Sequence, residues 1–288
     1  MIFLQKWLII LSEVTFFMFN SHVHSQFSSD CSASGEEMCR AAAAKGMCGI
    51  AFTDHCALDS YITENSYRNA LASAKAAKEL SGKYSDSLIV TSGIEMGEAV
   101  RKPDYAERII KAAHFDIVLM SVHNVFINNS SAHLARLDFS AMTDSVIKKI
   151  TAAYFRDLKD SVIHTDFDVC AHLTLPLRYI TGVYGRKLDI GEFTAETDAV
   201  LKLLIDREKA LEINTSDLCR AFRDFMPCES IVCRYREMGG ELVTIGTDAH
   251  VPENIDSGFE DGIKLLKKCG FEAYYRYESR KPVKVLFS

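Results

Sequence analysis

The sequence predicts an α/β fold in which seven parallel strands alternate with helices and curl into a closed or nearly closed TIM-like barrel within a single domain. Three observations carry this. Short runs of β-branched and aromatic residues alternate with longer stretches of helical period, which requires parallel strands joined by crossover helices. No linker-like stretch divides the 288 residues, a length that one barrel fills. Ionisable residues also recur at one end of the apolar runs, where a parallel barrel gathers the C-terminal ends of its strands. An open doubly wound sheet is the structural alternative.

The first strand is expected over residues 14–19, leading into Asn20-Ser21-His22-Val23-His24-Ser25. Side chains alternate along a strand, so His22 and His24 project the same way from its tip. Ser34 and Glu37 have the spacing of a capping box, and a helix follows over 36–45 until Gly46 stops it. Gly49-Ile50-Ala51-Phe52 is the second strand, with Thr53-Asp54-His55 at its end. A helix over about 66–80 leads to the third strand, 88–94, ending in Glu95. Pro103 opens a helix to about 113, and the fourth strand, 116–122, ends in His123. A long polar loop, 124–137, precedes an amphipathic helix over about 140–158. The fifth strand, 167–171, ends in His172, and the loop after it carries Arg178 and Arg186. A helix over 195–208 precedes the sixth strand, 210–214, whose loop carries Arg220 and Arg223. A helix over 231–238 leads to the seventh strand, 242–246, ending in Asp248-Ala249-His250. A final helix, 259–269, is followed by a polar-aromatic tail.

Residues 1–19 are apolar, but Lys6 is their only positive charge, Ser12-Glu13 interrupts the run and no small-x-small cleavage site precedes His22. This argues against a signal peptide, and the run is too broken for a spanning helix. Residues 1–13 are therefore read as an extension, with Met18 as an alternative initiator, ahead of a barrel domain over 14–288. Nine cysteines without a C-x-x-C pair make a disulfide scaffold a poor fit at this length. Mostly reduced cysteines place the chain in the cytoplasm. A net charge of −6 opposes a nucleic-acid partner, and no membrane partner is expected.

The chemistry lies in the strand ends. His22, His24, His55, Glu95, His123, His172, Asp248 and His250 all fall at predicted C-terminal ends, with Asp30 in the first loop. A single histidine there is more often a hydrogen-bonded loop residue than a ligand. Six strands each delivering His, Asp or Glu to the same face is not something core packing requires, because buried ionisable groups are costly unless paired or metal-bound. Imidazoles and carboxylates without thiolates suit Zn, Mn or Fe in open coordination. Nine candidate ligands suffice for two to three divalent ions, whose charge exceeds that of Glu95, Asp30 and Asp248 and leaves a surplus that suits a phosphate dianion. Cys56 is read as a packed thiol, and Asp54 as a partner orienting an imidazole.

His22-x-His24, Thr53-Asp54-His55, Gly93-Ile94-Glu95, Ser121-Val122-His123, Ala171-His172-Leu173 and Gly246-Thr247-Asp248-Ala249-His250 together resemble the polymerase-and-histidinol-phosphatase (PHP) superfamily. Leu211-Glu212-Ile213-Asn214-Thr215-Ser216 and the run from Met238-Gly239-Gly240 to Pro252-Glu253 resemble its histidinol-phosphatase branch. The resemblance spans residues 19–270. It implies a distorted (β/α)7 barrel with a trinuclear metal centre that hydrolyses L-histidinol phosphate in histidine biosynthesis. It makes His22, His24, Asp30, His55, Glu95, His123, His172, Asp248 and His250 the metal ligands. Two positions depart from the pattern: Thr174 stands where an acid is usual, and Asp217 where glycine is usual.

The expected reaction is in-line hydrolysis of a small phosphate monoester, with Asp248, His250 and His55 as catalytic residues and one of them protonating the leaving oxygen. Arg178 and Arg220 are the expected phosphate contacts, since a guanidinium matches phosphate bidentately. Asp59 or Glu64 is an expected partner for a substrate cation. Other readings remain open at this point: a PHP enzyme for another phosphate ester or a nucleotide, an amidohydrolase-like metal hydrolase, and a non-catalytic metal-binding barrel.

Overall fold

The computed structural model describes residues 17–58, 64–127 and 130–287. The expected boundary after residue 13, residues 14–16 of the expected first strand and Asp59 lie outside the described residues, as does the side chain of Glu64.

Among the described residues, strand β1 spans Phe19–Val23 and carries His22 within it. The capping box forms as expected, and α1 runs over Gly35–Ala44. Next come β2 (Gly49–Phe52), the short β3 (His55–Ala57) and α2 (Glu64–Lys83). Strand β4 (Ile89–Gly97) continues two residues past Glu95, so this carboxylate lies inside the strand rather than at its end. After it come α3 (Pro103–Ala112) and β5 (Ile117–Ser121). The stretch read as a polar loop contains an antiparallel pair, β6 (Asn124–Ile127) and β7 (Ser130–His133).

Helix α4 (Asp144–His164) is capped by the Thr143 side chain, a bond typically worth about 1 kcal/mol. It buries Ile147, Ile150, Tyr154, Leu158 and Val162, one stripe of helical period. The chain then forms β8 (Val169–Cys170), a π-helical turn (Arg178–Val183), α5 (Thr194–Asp206) and β9 (Ala210–Asn214). It continues with α6 (Glu229–Glu237), β10 (Val243–Gly246) and α7 (Phe259–Lys268). The polar-aromatic tail folds as a hairpin, β11 (Ala273–Glu278) and β12 (Lys281–Leu286).

The seven expected strands are parallel neighbours in the order β1-β2-β4-β5-β8-β9-β10, with β3 added beside β4. The ring is nearly closed. Between β1 and the end of β10 the pairing consists of a single bridge, Val23 to Ala249, with His24 N–H donating to Ala249 O at 3.0 Å and Asp248 N–H to His22 O at 2.9 Å. The C-terminal hairpin sits under the opposite end. Phe19 N–H donates to the Tyr274 hydroxyl at 2.8 Å, Ser279 N–H donates to Asp116 at 2.9 Å, and Arg280 pairs with Asp168.

One disulfide, Cys233–Cys269, joins α6 to the end of α7, and the other seven cysteines are free. Cys56 is buried as a packed thiol, as expected. No described helix is long and apolar enough to cross a membrane.

Candidate metal centre

The nine expected residues come together at the C-terminal mouth of the barrel. Strand β1 delivers His22 and His24, both fully buried. His55 is not at the end of β2. The chain breaks at Thr53-Asp54 and resumes as β3, whose register sets His55 directly beside Glu95. Three groups have ligand atoms close enough to hold an ion each: His22, His24 and Asp248; His24, His55 and His250; and His55, Glu95 and His123. His172 joins through Nε2, 2.8 Å from Glu95 Oε1. Asp30, half exposed at the rim, reaches His55 Nε2 at 3.5 Å and His250 Nε2 at 3.4 Å.

The outward faces of the rings decide what the inward faces offer. Nδ1 of His22 is 2.6 Å from Glu212 Oε1, an acceptor, so this nitrogen carries the proton. Nδ1 of His24 is 3.0 Å from Ser28 Oγ, whose own proton goes to Asp54, so the His24 proton is also on Nδ1. His250 Nδ1 faces the carbonyl of Asp248 at 2.9 Å. In all three rings Nδ1 is bonded outward and Nε2 faces the interior of the site. The Nε2 atoms of His22 and His24 stand 3.0 Å apart, and those of His55 and His250 stand 3.4 Å apart. Ring nitrogens so placed need a positive charge between them, which a shared proton or a metal ion supplies.

Glu95 makes the same point from the acid side. Its Oε2 is buried without a hydrogen bond of acceptable geometry, although His55 Nδ1, His22 Nε2 and His24 Nε2 surround it at 2.5, 3.6 and 3.7 Å. Burial pushes the Glu95 carboxyl up, but His55 and His123 outweigh it and hold it well below the usual carboxylate range. Burial and then His55 push the His24 imidazole well below its ordinary value, which keeps it neutral and able to ligate. A buried, ionised carboxylate ringed by imidazole nitrogens is the donor set of a polynuclear site for divalent ions, so the residues present fit such ions.

Three groups that support the site were not singled out from the sequence. Glu212, fully buried on β9, accepts from His22, from the His172 backbone N–H at 2.7 Å and from Asn214 at 3.1 Å. A charged residue in the middle of the apolar run Leu211-Glu212-Ile213 was the available signal. Glu98 accepts the backbone N–H of His123 at 2.6 Å, and Ser28 links His24 to Asp54. Asp54 itself bonds no imidazole among the described residues. It binds Ser25, Ser28 and Ser73, so its expected orienting role is exerted one bond further out, through Ser28.

Gly246 lets β10 approach this layer. A Cβ there would collide with the Glu212 carboxylate and with His22. Gly246→Ala is accordingly expected to lower stability by about 1–3 kcal/mol and to weaken metal retention, measured by thermal melting and metal content. An alanine variant with unchanged melting and full metal would refute the close-approach account.

Above the residues lies a cavity of about 670 Å³ whose lining includes Arg178, Arg220, Arg136, Tyr179, Phe222 and His133. Both expected arginines are thus at the site, with Arg136 as a third. Arg178 is tightly held: Nε donates to Asp217 at 2.7 Å, and Nη2 to Ser216 at 2.6 Å and to Asp248 at 3.2 Å. Burial would raise the Asp248 carboxyl, but His22, His24 and Arg178 hold it well below the usual range. An anion so fixed suits a ligand.

A profile of the PHP domain matches residues 20–216. The chain belongs to the PHP domain family. Among curated relatives of this PHP protein, a probable histidinol-phosphatase of Clostridium acetobutylicum is 28% identical over 266 residues, covering 91% of this chain and 98% of that one. A histidinol-phosphatase of Lactococcus lactis is 26% identical over 270 residues, covering 90% and 94%. The crystal structure of histidinol phosphate phosphatase from Lactococcus lactis, complexed with zinc, L-histidinol and phosphate, shares the fold with a TM-score of 0.75 at 24% identity, covering 93% of this chain and 99% of that one.

Proposed function

We propose that this PHP protein is a metal-dependent phosphate monoester hydrolase that converts L-histidinol phosphate and water to L-histidinol and phosphate in histidine biosynthesis. The observation that carries the reading is the inward convergence of imidazole Nε2 atoms around buried Glu95, in a chain whose relatives of near-equal length are named histidinol-phosphatase. Two to three divalent ions (Zn, Mn or Fe) would be held by His22, His24, Asp30, His55, Glu95, His123, His172, Asp248 and His250. Such ions supply Lewis acidity toward phosphoryl oxygens and a nucleophilic water at neutral pH.

The remaining work belongs to the chain. Arg178 and Arg220 reach the cavity from the loops after β8 and β9 and would take the phosphate oxygens. The ring nitrogens of His55 and His250 are all committed, to Glu95, Asp30, the Asp248 carbonyl or each other. Asp248, His55 and His250 are therefore assigned to catalysis as ligands, and water admitted through the open cavity protonates the leaving oxygen. The preponderance of free cysteines supports a cytoplasmic setting.

Purified, metal-analysed protein should release phosphate from L-histidinol phosphate faster than from a panel of sugar phosphates and nucleotides. A strong chelator should abolish the release, and Zn, Mn or Fe should restore it. Turnover of another ester with none of histidinol phosphate would overturn the substrate assignment, and activity that survives complete metal removal would overturn the metal assignment.

A further inference from the structure

The loop after β9 does more than follow a strand. Asp217 on that loop is buried, with 1% of its surface exposed. Its carboxylate takes Nε–H of Arg178 at 2.7 Å while Ser216 takes Nη2–H at 2.6 Å, so two successive residues grip one edge of the guanidinium. The third contact, Nη2 to Asp248 Oδ2 at 3.2 Å, ties the same group to the candidate metal centre. None of these bonds uses Nη1. The loop is also anchored from its other side: the backbone carbonyl of Asp217 accepts from Arg220 N–H at 3.1 Å and from Arg223 N–H at 3.0 Å. The turn that carries Arg178 packs on the same loop closely enough that a Cβ on Gly182 would strike Phe222.

We propose that Asp217 is a positioning residue that locks Arg178 through Nε, so that the guanidinium meets the substrate phosphate with its Nη1 side while remaining bound to Asp248. This rests on the phosphate-ester reading above. An arginine side chain loses several rotatable bonds' freedom when it binds, and a carboxylate at Nε removes that cost before substrate arrives. The opposing effect is electrostatic, because a carboxylate beside the guanidinium weakens its pull on an anion. The two effects predict opposite signs. If positioning wins, removing Asp217 weakens phosphate binding; if neutralisation wins, removal strengthens it.

The test compares Asp217→Ala and Asp217→Asn in the metal-loaded protein. Steady-state phosphate release and the binding of inorganic phosphate are both measured. Positioning predicts that alanine raises KM and weakens inorganic phosphate binding, each roughly tenfold, with kcat changed much less, because the contact is made equally in ground and transition states. Asparagine keeps an oxygen for Nε–H and should stay near wild type. In an Arg178→Ala background, Asp217→Ala should add nothing.

Unchanged KM and phosphate binding in the alanine variant, tighter binding in both variants, or a full additional effect in the Arg178→Ala background would each overturn the proposal. If the alanine variant does not fold, Asp217→Glu displaces the guanidinium by one methylene and should raise KM in the same direction. A wild-type protein that hydrolyses no phosphate ester would defeat the phosphate-ester reading instead. The inorganic phosphate measurement still scores Asp217 in that case, since it needs no turnover.

Discussion

Glu95→Ala is expected to lower kcat/KM for phosphate release at least about 1000-fold, roughly 4 kcal/mol of transition-state stabilisation, and to reduce the metal bound per chain. Its two oxygens stand between five imidazoles: His172 at 2.8 Å and His123 at 3.2 Å from Oε1, and His55, His22 and His24 around Oε2. Removing the carboxylate deletes the one anion in the group formed with His55 and His123. It also leaves inward-facing ring nitrogens with less negative charge to hold cations among them. Glu95→Gln keeps the volume and removes the charge, so a similar loss there locates the effect in charge and not in packing. Metal content by atomic emission and phosphate release from L-histidinol phosphate are the two readouts. Full activity with either substitution would sink the metal-centre reading.

Glu212→Gln is expected to cost about 10–100-fold in metal affinity and a comparable factor in activity, although Glu212 is in none of the three ligand groups. The reason is donor and acceptor arithmetic. Both carboxylate oxygens accept, one from His22 Nδ1 at 2.6 Å and the other from His172 N–H at 2.7 Å. A carboxamide has only one oxygen. If its NH2 faces His22, the ring must shift its proton to Nε2, which removes the lone pair aimed at the metal. If it faces His172, two N–H groups oppose each other in a buried site, and an unmade buried bond costs about 1–3 kcal/mol. A competition titration with a zinc indicator measures the first consequence, and a thermal melt of the metal-free protein the second. Wild-type zinc affinity in this variant would show that His22 is oriented by something else.

The sequence was most legible where a residue's chemistry and its place in a periodic pattern agreed. Gly49–Phe52 and Ala210–Asn214 are strands to the residue, because each is a short apolar run between clear breakers. Every one of the nine polar residues anticipated at the barrel mouth lies there, since ionisable groups at the ends of apolar runs are hard to explain by packing. The apolar pattern puts Glu95 at a strand end, yet it lies inside β4, and assigns no role to Glu212 inside its strand; each is tolerated there because histidines and backbone N–H groups satisfy it. The antiparallel pairs β6–β7 and β11–β12 read as a loop and a tail, because in each the second strand is largely polar or solvent-facing and breaks the apolar pattern. The break that makes β3 depends on Asp54 gathering three serine hydroxyls from two segments, a contact pattern that no local spacing encodes.

The near-closure of the ring, made by one bridge between Val23 and Ala249, has a consequence for the order in which the centre matures during synthesis. A chain leaves the ribosome from its N-terminus, and contacts between distant segments must wait for the later one. The group of His55, Glu95 and His123 is complete once residue 123 has emerged. The two groups that share His24 wait for Asp248 and His250, which arrive only with the last strand of the ring. The residues of the first group are therefore all present before the ring can close, while the other two groups come into being only when the beginning and end of the barrel meet.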